Sequence, residues 1–121
     1  MTAGSLDYLD SLTLYFNYLT SFSGTGLASL TYLNLTSNSL PSFSGTGLTN
    51  LSSLQLDYNQ LTSFTPGTDL ANLSILNLYD NQLSSFDGSS LTSLTSLNLN
   101  QNLLTSFTPG TGLTNLTDLQ L

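Results

Sequence analysis

The chain has no lysine, arginine or histidine, and it also lacks cysteine and tryptophan. Each absence closes a class of function. Nucleic-acid binding rests on basic side chains that neutralise phosphates, so it is excluded in any ordinary form. Attraction to anionic membrane surfaces depends on the same charges and fails with them. Without histidine, lysine or cysteine there is no imidazole to activate a serine, no Schiff-base amine and no thiolate nucleophile. Zinc ligation by cysteine or histidine is missing for the same reason. No disulfide can form, which leaves the redox compartment open. No apolar run approaches the roughly 20 residues that span a bilayer, so membrane insertion is not expected. The opening Met1-Thr2-Ala3-Gly4-Ser5 carries neither a positive region nor an apolar core and does not read as a signal peptide. It reads as a start placed before an internal stretch of a longer array, or on a mature form.

What charge there is has one sign. Seven aspartates give a net charge of −7 over 121 residues, and only 6% of the chain is charged where about a quarter is usual. Serine, threonine, asparagine and glutamine must therefore supply solubility, and stability must come from burial and hydrogen bonding.

The leucines are periodic. They open successive units at Leu6, Leu27, Leu48, Leu70, Leu91 and Leu113, at spacings of 21 or 22 residues. The second unit runs Leu27, Leu30, Leu33, Leu35, Asn38, Leu40, Phe43; the third runs Leu48, Leu51, Leu54, Leu56, Asn59, Leu61, Phe64. Self-similarity at this period marks a solenoid, in which no unit buries its apolar face alone. The motif L-x-x-L-x-x-L-x-L-x-x-N-x-L resembles the leucine-rich-repeat family from residue 6 to the end. The expected organisation is a lead-in over 1–5 and a solenoid over 6–121, with the sixth unit truncated.

The L-x-L step has period two and places both leucines on one side of a short strand. The expected fold is thus an α/β-type solenoid that is mostly β, with a parallel sheet on its concave face. Returns of about 12 residues, rich in serine, threonine, glycine and proline, leave little room for helices and predict extended or 3-10 segments. Asn17, Asn38, Asn59, Asn81 and Asn102 fall where the chain must turn, and are read as a structural asparagine ladder satisfying backbone groups. Phe22, Phe43, Phe64, Phe86 and Phe107 are read as an aromatic core spine on the return side. Gly-Thr-Gly at 24–26 and 45–47, with Pro-Gly at 66–67 and 109–110, marks the corners.

The search for chemistry yields no catalytic residue, no metal site and no cofactor. Asp57 and Asp80, in adjacent units, are the nearest approach to a hydrolase carboxylate pair. Nothing in the sequence buries either one, and surface acids are the plainer reading. No acidic loop has calcium-site spacing. Asn34-Leu35-Thr36, Asn50-Leu51-Ser52, Asn72-Leu73-Ser74 and Asn115-Leu116-Thr117 match the glycosylation pattern, but the motif falls out of the repeat itself.

Three working surfaces remain. The concave face presents Tyr15, Tyr32, Asn34, Gln55, Asp57, Asn77, Tyr79 and Asn98, tyrosines among amides that suit a protein or a glycan. The resemblance implies binding on this face. On the return side, Ser21, Ser42, Ser63, Ser85 and Ser106 precede the phenylalanines, and Ser23, Ser44, Thr65, Asp87 and Thr108 follow them. Two such hydroxyl ranks resemble the surfaces of ice-binding proteins, the alternative function. Finally, Leu6 and Leu9 at one end and Leu119 and Leu121 at the other predict end-to-end association of copies, because bare sheet edges are templates for pairing. The sequence thus describes a non-enzymatic module for recognition, adhesion or self-assembly, expected outside the cell or on its surface.

Overall fold

The computed structural model describes residues 6–121; the lead-in 1–5 lies outside them. Each unit forms a three-residue strand centred on the first leucine of its L-x-L step, and in the four inner strands that leucine is buried. These strands are β1 (Ser11–Thr13), β2 (Tyr32–Asn34), β4 (Ser53–Gln55), β6 (Ile75–Asn77), β7 (Ser96–Asn98) and β8 (Asp118–Gln120), and they form one parallel sheet in that order. Equivalent positions pair without stagger: Tyr32 faces Ser53, Ser53 faces Ile75, and Ile75 faces Ser96. Backbone bonds carry the ladder past the strands, with the Leu35 N–H donating to the Gln55 carbonyl at 2.9 Å and Ser37 to Asp57 at 3.0 Å.

The core is the stacked interior of the coil. Leu30, Leu33, Leu35 and Leu40 of the second unit are wholly buried, as are their equivalents Leu51, Leu54, Leu56 and Leu61 in the third. Burial of one such side chain contributes roughly 1.5–3 kcal/mol. The phenylalanines close the opposite side as a continuous stack, with ring centroids 6.1, 5.9, 6.0 and 6.3 Å apart from Phe22 to Phe107.

The return path is extended. In two units it pairs as β3 (Ser42–Ser44) and β5 (Ser63–Thr65), Phe43 beside Phe64. No helix occurs among the described residues, and the tight geometry is confined to single i→i+3 turns. The Leu48 N–H donates to Gly45 O at 3.1 Å and the Leu51 N–H to Leu48 O at 3.1 Å. Gly26 and Gly47 turn these corners at φ +83° and +86°, a region that other residues enter at a cost.

The asparagines tie each coil to the one before it. Asn59 donates from Nδ2 to the carbonyls of Leu35 (3.0 Å) and Leu56 (3.1 Å), and its Oδ1 accepts from the Leu40 N–H at 3.1 Å. Asn38, Asn81 and Asn102 repeat the pattern, through Leu14, Leu56 and Leu78 of the preceding coils. Asn17, in the first coil, is exposed and bonds only within its own unit, to Leu14 and Tyr15. The residue before each asparagine, whether Phe16, Ser37, Tyr58, Asp80 or Gln101, is left-handed with φ between +52° and +59°. That kink turns the chain off the sheet and aims the following amide inward.

Candidate recognition surface

The pairing register sets the concave side chains in columns. One reads Ser11, Tyr32, Ser53, Ile75, Ser96, Asp118; the next reads Thr13, Asn34, Gln55, Asn77, Asn98, Gln120. Beyond the strand ends lies a rim bearing Tyr15, Asp57 and Tyr79. Successive members of a column are separated by the strand spacing, about 4.8 Å. Tyr32, Asn34, Gln55, Asp57, Asn77, Tyr79 and Asn98 are half-buried, and Tyr15 is exposed.

These amides are partly committed to the fold. Oδ1 of Asn34 accepts from the Thr36 N–H at 2.9 Å, that of Asn77 from Tyr79 at 3.1 Å, and that of Asn98 from Asn100 at 3.0 Å. Asparagine readily captures the backbone two residues on, so each amide closes the end of its strand. The consequence for binding is directional. With the oxygens turned back to the chain, Asn77 and Asn98 present their Nδ2 donors outward, while Nδ2 of Asn34 reaches the Tyr32 hydroxyl at 3.3 Å. Gln55 likewise donates to the Ser53 hydroxyl at 3.3 Å.

The left-handed corner adds aromatic surface that the periodicity of the leucines does not reveal. Tyr58 is half exposed and packs edge-on against Tyr79, with ring centroids 5.3 Å apart and planes at 71°. Tyr15 and Phe16 make an edge contact of their own within the first coil, at 5.4 Å, and Tyr18 of that coil is exposed. The Tyr58 phenol is held above its ordinary value of 10.0, first by neighbouring Tyr79, then by partial desolvation, and further by the carboxylates of Asp80 and Asp57. Asp57 accepts from the Thr36 hydroxyl at 2.8 Å, and Asp80 is exposed at the corner. Neither sits in a closed, dry pocket of the kind that raises a catalytic acid. Among the described residues no three acidic side chains gather into a group able to hold a metal ion.

On the return side, Ser42 and Ser63 are exposed neighbours, as are Ser44 and Thr65. The second rank is turned on itself: Ser44 and Thr46 hydroxyls lie 2.9 Å apart, and Ser23 donates to Thr25 at 3.1 Å. Asp87 accepts from the Ser89 N–H at 2.9 Å, which holds its carboxyl below the usual range. Three of the four glycosylation-like asparagines form a second set of ties between coils, while Asn34 bonds within its own. Asn50, Asn72 and Asn115 donate to the carbonyls of Ala28, Thr49 and Thr92 at 2.8, 2.9 and 2.7 Å. At the two end coils, Leu6 and Leu9 are half-buried against the core, while Leu119 and Leu121 are 40% and 61% exposed. Leu99, Leu104, Phe107 and Leu121 line a hollow of about 240 Å³ there.

A helix-free coil of 21- or 22-residue turns, with a parallel sheet on one face and an asparagine ladder at the turn, defines a repeat protein that presents an open face. Two stretches, residues 29–53 and 72–94, match the family model described as Leucine Rich Repeat. Among solved structures, the chain is similar to a leucine-rich-repeat protein of Leptospira interrogans, at 34% identity and a TM-score of 0.87. The match covers 95% of this chain and 31% of that one, so this chain spans less than a third of its length. No curated protein matches the chain. The chain is a leucine-rich-repeat solenoid, a class whose members typically mediate protein interactions rather than catalysis.

Proposed function

We propose that the chain is a non-enzymatic recognition module that docks a protein ligand on the concave sheet and its tyrosine rim. The observation that carries this reading is the unstaggered register, which sets Tyr32 and Tyr79 on the same face as the amides of Asn77 and Asn98, over a leucine core. Large aromatic side chains among small polar neighbours are the usual anchors of such interfaces. A role in adhesion, in a cell-surface or extracellular setting, accords with a composition that relies on hydroxyls and amides.

The test is built from the repeat itself. Tyr32→Ser copies Ser53 and Tyr79→Thr copies Thr36, so both residues are already tolerated at those positions. The double variant should keep its circular dichroism and melting temperature. It should also lose at least about tenfold in affinity for any protein ligand recovered from a binding screen. Undiminished affinity would move the site to the return side or the end coils.

A further inference from the structure

We infer that the partner is a basic polypeptide segment, whose lysine or arginine side chains seat on the Tyr58–Tyr79 pair between Asp57 and Asp80. The inference rests on the concave-face reading above and names the chemistry of its ligand.

Three observations converge on this rim. The first is geometric. Asp57 and Tyr79 hold the same rim position in adjacent coils, and Tyr58 and Asp80 hold the next, with the Tyr58 N–H bonded to Tyr79 O at 2.9 Å. The four residues thus mark the corners of a square along the backbone, with the two rings in contact across it and the Asp57 carboxyl accepting from Thr36 on the preceding coil. Aromatic faces attract a cation held within about 6 Å of the ring centroid, and flanking carboxylates add to that attraction. Left-handed φ values of +55° at Tyr58 and +52° at Asp80 fix this corner on a rigid backbone.

The second observation is charge. The chain has seven carboxylates and no basic side chain, so no internal ion pair between side chains neutralises any of them. A net charge of −7 steers a basic partner inward and repels an acidic one. The phenol of Tyr58 is raised first by Tyr79 and by desolvation, with Asp80 and Asp57 adding the smallest shares.

The third is hydrogen-bond polarity. Because Asn77 and Asn98 spend their oxygens on the backbone N–H groups of Tyr79 and Asn100, what they offer a ligand is N–H donors. Those suit the carbonyls of an extended peptide running across the sheet. A neutral glycan could use the carboxylates only as hydrogen-bond acceptors, with no opposite charge to pair with them.

The probes are three synthetic peptides of equal length: arginine alternating with glycine, serine alternating with glycine, and aspartate alternating with glycine. Titration calorimetry should show binding of the arginine peptide alone, weakening as salt rises to about 0.3 M. Binding should fall at least about tenfold in Asp57→Asn/Asp80→Asn and in Tyr58→Ser/Tyr79→Thr. The first substitution copies Asn100, and the second pair copies Ser37 and Thr36 of the neighbouring coil. Asp7→Asn/Asp87→Asn removes the same charge from other surfaces and should lose less than about twofold. Equal losses in both aspartate pairs would overturn the proposal, leaving only attraction to the overall charge. Binding of the serine peptide with equal affinity, abolished by Tyr32→Ser/Tyr79→Thr, would overturn it while upholding the concave face as the site. Arginine-peptide binding that ignores every rim and concave substitution would overturn both.

Discussion

At the residue scale, the amide of Asn59 shows why one position in each unit tolerates so little. It joins two coils by satisfying carbonyls on both and a backbone N–H on the earlier one. An alanine strands the buried Leu40 N–H, while Leu35 O keeps the amide of Asn38 and Leu56 O that of Asn81; one stranded group costs about 1–3 kcal/mol. Asn59→Ala should therefore lower stability to chemical denaturation by about 1–3 kcal/mol, whereas the exposed neighbour Gln60→Ala should cost less than about 0.5 kcal/mol. Equal effects would mean that the amide does not hold the coils together. The ladder positions were readable because asparagine recurs there without exception. The left-handed residue before each was not, since phenylalanine, serine, tyrosine, aspartate and glutamine occupy it in turn. No side-chain type marks the site, and only the turn geometry imposes it. That conformation costs an L-residue about 1–2 kcal/mol, which glycine avoids at some entropic cost in the unfolded chain. Gln101→Gly should thus be neutral or stabilising by up to about 1 kcal/mol, while the β-branched Gln101→Val should destabilise. A glycine variant less stable than the valine variant would refute the strain.

At the element scale, the concave strands follow from the leucine spacing, because a period of two admits only one register with both leucines inside. The rim square escaped the same logic. Tyr58 lies outside the alternation that lists concave residues, and only the kink at its φ of +55° carries it round beside Tyr79. The corner glycines have a second role that is also invisible in one unit taken alone. A Cβ on Gly45 would lie 2.5 Å from Cγ of Leu70 and 2.7 Å from the Pro66 carbonyl oxygen, both belonging to the following coil or its corner. Gly24 stands in the same relation to Leu48, and Gly88 to Leu113. The opening leucine of a unit thus packs against bare backbone one coil earlier, and the contact sets how closely the coils stack at that edge. Gly45→Ala should cost about 1–3 kcal/mol by overpacking, although φ at Gly45 is not in the left-handed region. Gly67→Ala tests the other glycine mechanism, since its φ is +61° and nothing lies within 4 Å of an added Cβ. Thermal denaturation of the two variants separates crowding from backbone strain; an unchanged Gly45→Ala would show that the coils have slack at this edge.

At the scale of the whole molecule, a solenoid with carboxylates and no basic side chains has an unusual relation to salt. In most proteins added salt weakens some attractive pairs and some repulsive ones. Here no attraction between side chains exists to be screened, and a net charge of −7 leaves only repulsion. The melting temperature at neutral pH should therefore stay level or rise between low salt and about 0.3 M NaCl. The pH profile follows from two groups with opposite signs of shift. The Asp87 carboxyl is lowered in the fold, so the stability it contributes is present above its unfolded value of 3.8 and is lost as pH falls through the folded value. It lies on the exposed surface, so its share is small. The Tyr58 phenol is raised, so its contribution is present below 10.0 and is lost as pH climbs through the folded value. The expected profile is flat from about pH 5 to 9, with a decline that begins on the alkaline side. Tyr58→Ser should blunt that decline, because it removes the group whose ionisation the fold resists. A marked fall in melting temperature with salt would contradict the absence of stabilising charge attraction and point to a bound cation. An alkaline decline unaltered by Tyr58→Ser would show that the Tyr58–Tyr79 rim is not where the fold holds back ionisation.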